Sequence, residues 1–177
     1  MSIHVQVRVG VEWVNHFHAD ACKQVELSYC DDQVVGFYNH MSWYGHVQVF
    51  NWGNDNAWET DFRHPDFGGD SLNWSDDVHF CMVNNHGGNS DNIVSFFFSK
   101  AHTNCSVPST KMRLGRKNLK WLAALGCDAV LNTNADHIGW IKGRLGSSAI
   151  KTPRRSISVG FIHCFYPLVE KFRRYSG

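Results

Sequence analysis

Short apolar runs bounded by polar or glycine-rich sequence are the feature that most limits how this 177-residue chain can fold. Residues 5–13 alternate apolar and polar side chains, which predicts a strand with one solvated face. A run at 93–98 fits a buried strand or a short helix. Further strands are predicted at residues 46–50, 78–83, 119–125 and 156–161.

Helical patterns lie between these strands. Residues 31–44 begin with two aspartates, carry an apolar stripe from Val34 to Met41 and are followed by Gly45, which together predict a helix. Further helices are predicted after Asp136 and from Pro167. Strands interleaved with helices favour a mostly parallel sheet in an α/β sandwich. We expect a single domain over residues 1–177, because no repeat or linker divides the chain.

The composition describes a packed protein without a charge-driven partner. Hydrophobic residues make up 43% of the chain and the net charge is +1, so neither nucleic acid nor an anionic membrane is expected as a partner. No run approaches the roughly 20 apolar residues of a membrane span, and the N-terminal sequence lacks a signal-peptide pattern. We therefore expect a cytoplasmic protein whose six cysteines are mostly reduced and structural.

A histidine and a cysteine follow two of the predicted strands. Residues 78–83 lead into His86, and residues 119–125 lead into Cys127. If the two strands are parallel neighbours, both side chains emerge at one carboxyl edge, where open α/β sheets place their chemistry. A nearby imidazole can activate a thiol as a nucleophile and protonate a leaving group. The alternative is that His86 lies in a turn and Cys127 is a buried small hydrophobe.

Four neighbouring residues are candidates for supporting roles. Gly87 and Gly88 leave the backbone open, so their amides are candidate donors to an oxyanion. Asp61 is a candidate to orient His86 or to contact substrate, and Asn85 is a candidate to orient the same histidine. Turn chemistry is the alternative for both of these polar residues.

These elements resemble a known superfamily. An apolar strand ending in His86-Gly87, and a second ending in a small residue and Cys127, is similar to the caspase–legumain–gingipain superfamily of cysteine peptidases. The separation is 127 − 86 = 41 residues, compared with roughly 50 in caspases, and Gly126 stands where those enzymes commonly carry Ala. The resemblance implies a caspase-like three-layer α/β/α sandwich with a mostly parallel sheet, His86 as general acid/base and Cys127 as nucleophile.

The chain looks closer still to an uncharacterised microbial family of DUF type that is related to this superfamily. The resemblance spans roughly residues 45–130, with a weaker part at residues 159–161. The same dyad serves peptide or amide hydrolysis and acyl cyclisation or transfer, so the expected partner is a peptide or a small acyl substrate. The shared segments are Phe50-Asn51-Trp52-Gly53-Asn54, Ala57-Trp58-Glu59-Thr60-Asp61-Phe62, the strand into His86-Gly87, and Arg113-Leu114-Gly115 leading to Trp121 and Cys127.

Two other function classes stay open. Trp52 and Trp58 lie in the aperiodic stretch 51–76 and could line a pocket for an apolar ligand, with core packing as the alternative. Eleven histidines, among them His16 and His18, could supply a metal site. No His-Glu-x-x-His or Cys-x-x-Cys motif is present, however, so we expect neither a metal nor another cofactor.

Overall fold

The computed structural model of this protein describes residues 6–90, 93–100, 102, 104–126 and 158–161. Its strands, in chain order, are β1 (Arg8–Trp13), β2 (Val47–Gly53), β3 (Phe80–Asn84), β4 (His86–Ser90), β5 (Ile93–Phe97), β6 (Ser106–Pro108), β7 (Trp121–Leu125) and β8 (Ser158–Phe161). Five of them form a parallel sheet in the order β2-β1-β3-β7-β8. The chain between β3 and β7 forms a small antiparallel sheet in the order β4-β5-β6.

One helix, α1 (Cys30–Trp43), covers one face of the large sheet and confirms the helix predicted for residues 31–44. Its first turn carries Asp31 and Asp32, whose negative charge is favourable at a helix N-terminus. Its buried face meets the sheet through Val34 and Tyr38, which form a core cluster with Val9, Val11 and Met82.

The opposite face of the sheet is covered by irregular chain and by the small sheet. The aperiodic stretch at residues 51–76 begins with the end of β2 and continues through the 3-10 turns Asn54–Asn56, Glu59–Asp61 and Pro65–Phe67. Among the described residues, one helical layer rather than two covers the sheet. The α/β class is therefore confirmed, whereas the caspase-like three-layer sandwich stays a prediction. The core on this face includes Phe62, Phe96, Phe98, Met112, Leu119 and Leu122.

The predicted strands agree with the structure, with shifted ends, and residues 93–98 form a strand. The helices predicted after Asp136 and from Pro167 lie outside the described residues. Two expectations are wrong. The turn considered for His86 is one of them, because His86, Gly87 and Gly88 are the first residues of strand β4. Strand β1 has no solvated face, because it lies between β2 and β3 and is covered on both sides, so that even Glu12 is 0% exposed.

Cys22 and Cys105 form a disulfide with their Cα atoms 5.3 Å apart. The expectation of mostly reduced cysteines is therefore wrong for this pair, and Cys30 and Cys81 are both buried. Disulfides persist mainly in oxidising surroundings, and the cytoplasmic location stays a prediction. Within the described ranges, no helix has the length and apolar character needed to cross a membrane.

The buried carboxylate of Asp76 holds the segment that leads into β7. Its Oδ1 accepts a hydrogen bond from the Gly115 amide at 2.8 Å, and its Oδ2 accepts from the Arg116 and Lys117 amides at 2.9 and 3.1 Å. Burial raises the pKa of Asp76, and the hydrogen bonds from these amides lower it. The carboxylate thus replaces water as the partner of three main-chain donors.

We expect Asp76→Asn to lower the free energy of unfolding by about 2–4 kcal/mol, because the new NH2 group faces amide donors and leaves them unsatisfied. Urea denaturation of the purified variant measures this loss. The exposed Asp20 provides the matched control, and Asp20→Asn should change the value by less than about 0.5 kcal/mol. Equal denaturation midpoints for the two variants would contradict the role given to Asp76.

Candidate functional site

The two chain segments that leave β3 and β7 touch each other at the carboxyl edge of the large sheet. Asn84 is the register partner of Leu125, and the Asn85 amide donates to the Leu125 carbonyl at 3.2 Å. A Cβ added to Gly126 would lie 3.0 Å from the Asn85 carbonyl oxygen and 3.1 Å from the Gly87 amide nitrogen. Only glycine fits this approach without displacing backbone, which explains why glycine precedes Cys127. Cys127 itself lies outside the described residues.

His86 is half-buried at this edge and is held by two contacts. Its Nε2 lies 2.6 Å from the carbonyl oxygen of Val25, and its ring packs against Phe17 with centroids 5.1 Å apart. A carbonyl oxygen can only accept, so Nε2 carries the hydrogen and donates it. In the neutral imidazole, Nδ1 is then the nitrogen able to take up a proton.

Gly87 and Gly88 occupy different positions in β4. They pair with Phe96 and Ser95 across the small sheet. The Gly87 amide nitrogen lies beside Gly126, next to the end of β7. A Cβ on Gly88 would lie 2.8 Å from the ring of Phe97, so this glycine makes room for an aromatic side chain. Of the two candidate oxyanion donors, Gly87 is the one that lies beside the strand leading to Cys127.

Asn85 and the two candidate tryptophans have distinct surroundings. The Asn85 side chain is buried, and its Nδ2 has no hydrogen-bond partner among the described residues. Trp52 is half-buried in an aromatic cluster with Trp74, at a centroid distance of 5.7 Å. Trp58 is 36% exposed and stacks on His102 at 4.2 Å. Trp52 therefore belongs to the scaffold, whereas Trp58 presents part of its ring to solvent.

Asp61 is buried and is coupled to Glu12, a residue that the sequence analysis did not single out. Burial raises the pKa of Asp61 to about 7, while a hydrogen bond from the Trp58 amide lowers it. Burial also raises the pKa of Glu12 well above its usual range, and the Asp61 carboxyl raises it further. Within the part of the chain that the structure describes, neither Glu12 oxygen has a hydrogen bond of regular geometry, so repulsion between the two carboxylates is the interaction that we assign to this pair.

We expect the contribution of Asp61 to the stability of the folded protein to fall as the pH rises from about 4 to about 7. In the unfolded chain Asp61 ionises near its ordinary pKa of 3.8, whereas the folded chain keeps the proton up to about 7. Asp61 therefore holds its proton more strongly in the folded state in this window. The stability that it contributes is fully present below pH 3.8 and is lost as the pH rises through the folded-state pKa of about 7. Asp61→Asn should make this slope shallower, because the titrating carboxyl is gone.

Urea denaturation at a series of pH values between 4 and 8 measures the slope. Asp20→Asn removes an exposed carboxyl and should retain the wild-type dependence. A slope in Asp61→Asn as steep as that of the wild type would contradict the assignment.

The histidines that were considered as metal ligands lie in separate pairs. His18 Nε2 is 2.7 Å from an Asp55 carboxylate oxygen, and His16 Nδ1 is 3.4 Å from Glu26. Throughout the part of the chain that the structure describes, no group of three or more His, Cys, Asp or Glu side chains is arranged to hold a metal ion.

The fold and this edge together define an α/β protein with a parallel sheet and an oriented imidazole at its carboxyl edge. A family model described as Domain of unknown function (DUF6345) matches residues 11–143. The chain therefore belongs to the DUF6345 family, which confirms the resemblance to an uncharacterised family of DUF type. The match includes both His86 and Cys127. No curated protein matches the chain, and no solved structure does.

Proposed function

We propose that this protein performs cysteine-dependent acyl chemistry, with Cys127 as nucleophile and His86 as general acid/base, on a fold of the caspase–legumain–gingipain type. The observation that supports it best is the contact of Gly126 with residues 85–87 where β3 and β7 end. Successive Cα atoms are about 3.8 Å apart. Gly126 lies against Asn85 and Gly87, the two sequence neighbours of His86, and Cys127 follows Gly126 directly in the sequence.

The hydrogen bond from His86 to Val25 supports the role of the imidazole. With Nε2 donating to the carbonyl at 2.6 Å, Nδ1 is the base that takes the thiol proton of Cys127. The thiolate sulfur then bonds to the carbonyl carbon of the substrate, and the bond to the leaving group breaks as His86 returns the proton to it. Water resolves the resulting acyl-enzyme in hydrolysis, whereas an amine or alcohol resolves it in transfer or cyclisation.

The remaining site residues take supporting roles in this proposal. The Gly87 amide, beside Gly126, is the proposed donor to the oxyanion. Trp58 presents its exposed face to a peptide or small acyl substrate, next to His102. Asp61 acts through Glu12 and the buried core rather than by touching substrate, because it is only 3% exposed.

We expect iodoacetamide to label Cys127 faster than Cys30 and Cys81 in the folded protein. Both of these cysteines are buried, and burial raises the pKa of the Cys81 thiol well above its ordinary value. The labelling rate of Cys127 should rise through an inflexion below the free-thiol pKa of about 8.5. His86→Asn should move this inflexion to about 8.5 and lower the rate at pH 7 by about tenfold.

Peptide-resolved mass spectrometry measures these rates. His40→Asn, an exposed histidine on α1, is the matched control and should leave the profile unchanged. In a panel of chromogenic peptide amides and thioesters, Cys127→Ala should remove the turnover of any member that the wild type cleaves. If Cys127 reacts no faster than the buried cysteines, or equally fast without His86, a non-catalytic binding protein becomes the better account.

A further inference from the structure

The carbonyl that holds His86 belongs to a loop with few anchors. Val25 lies between β1 and α1, and its side chain is 78% exposed. Residues 23–26 are all exposed and, within the described part of the chain, donate no backbone hydrogen bond. The next backbone hydrogen bond is donated by Leu27 to the Asn15 carbonyl at 2.8 Å. The position of the Val25 carbonyl therefore depends on what fixes the loop on its other side.

The disulfide between Cys22 and Cys105 fixes the other side of this loop. Cys22 precedes Val25 by three residues, and Cys105 directly precedes β6. The Cys105 carbonyl accepts from the Phe98 amide at 2.9 Å, so this cysteine is part of the ordered edge of the small sheet. The covalent bond thus ties the carbonyl-bearing loop to a sheet of three strands.

The same small sheet carries His86. Phe97 is the register partner of both His86 in β4 and Ser106 in β6. His86, Phe97 and Ser106 therefore form one row across the three strands, and the disulfide lies next to the β6 end of that row. The small sheet therefore holds both groups: strand pairing holds His86, and the disulfide connects the Val25 loop to the same sheet.

We propose that the Cys22–Cys105 disulfide is a positioning element for His86 and that its reduction switches the site to a low-activity state. The activity in question is the cysteine-dependent chemistry proposed above, on which this inference rests. A dithiol reductant attacks one sulfur to form a mixed disulfide, and its second thiol then releases the protein. Two electrons and two protons convert the bond to the thiols of Cys22 and Cys105, and the reductant becomes its own disulfide.

The first experiment compares the wild type with Cys22→Ser/Cys105→Ser, using two measurements. Imidazole nitrogen NMR, with the signals assigned through His86→Asn, should show the Nε2–H tautomer in the wild type and a mixture of tautomers in the double variant. Alkylation of Cys127 should be slower in the double variant by about tenfold to a hundredfold, since small misplacements of a catalytic group have effects of this size. Wild-type protein that has been reduced with dithiothreitol and then freed of the reductant should show the same mixture of tautomers as the double variant.

A second variant keeps the fold covalently intact. Two glycines inserted between Lys23 and Gln24 lengthen the exposed loop without breaking the disulfide, and exposed loops tolerate such insertions. This variant should also lose the single tautomer of His86. Val25→Ala is the matched control: it keeps the main-chain carbonyl and should behave as the wild type.

The NMR measurement separates the two proposals, because it does not depend on Cys127. An unchanged Nε2–H tautomer in both the double variant and the insertion variant would overturn the positioning role, whatever the reactivity of Cys127. A loss of the single tautomer in both variants supports the positioning role even where labelling shows that Cys127 is not activated and the proposed function fails.

Discussion

Strand β3 is hydrogen-bonded on both sides, to β1 and to β7, and this double pairing is the constraint on which the arrangement of the molecule depends. Its side chains alternate between the two cores, with Cys81 and Val83 on the larger core and Met82 against α1. Parallel strands in register leave a sheet side by side. The residues after Asn84 and those after Leu125 therefore emerge together, and His86 owes its place at the edge to this pairing.

The sequence predicted those elements whose signals are local. The stripe on α1 and the apolar runs of the central strands follow the periodicities of helix and strand, and the structure confirms them. The adjacency of β3 and β7 had no local signal, because the small sheet separates them in the chain. From the sequence it could only be assumed that the two strands are parallel neighbours. Glu12 was misread for a related reason: alternation with valines indicates a half-solvated strand, but a strand in the middle of a covered sheet buries both faces.

Two features of the candidate site also had no signature in the sequence. The partner of His86 is the main-chain carbonyl of Val25, and any residue can supply a carbonyl. The pairing of Cys22 with Cys105 joins two loops whose proximity follows only from the fold. In contrast, the positions of His86 and Gly87 at the edge were predicted, because the end of an apolar strand can be recognised from sequence.

The buried carboxylates show two ways in which a fold can treat the same chemical group. Asp76 is enclosed by three main-chain amides, so its charge is compensated where it lies. Burial raises the pKa of all three carboxyls, but several main-chain amides offset part of this rise at Asp76, whereas Glu12 and Asp61 share only the Trp58 backbone for this purpose. Asp76 contributes to the fold as an ion, whereas the pair of Glu12 and Asp61 is most stable when it holds a proton.

The strand order also determines how the chain can fold. Val9 in β1 pairs with Phe80 in β3, 80 − 9 = 71 residues further along, so the central ladder cannot form until most of the described chain has been synthesised. Structures dominated by such distant pairings fold in about milliseconds to seconds rather than microseconds. During that interval β1 can pair with β2 on one side, but its other edge stays unpaired, and an unpaired strand edge favours self-association of the folding chain.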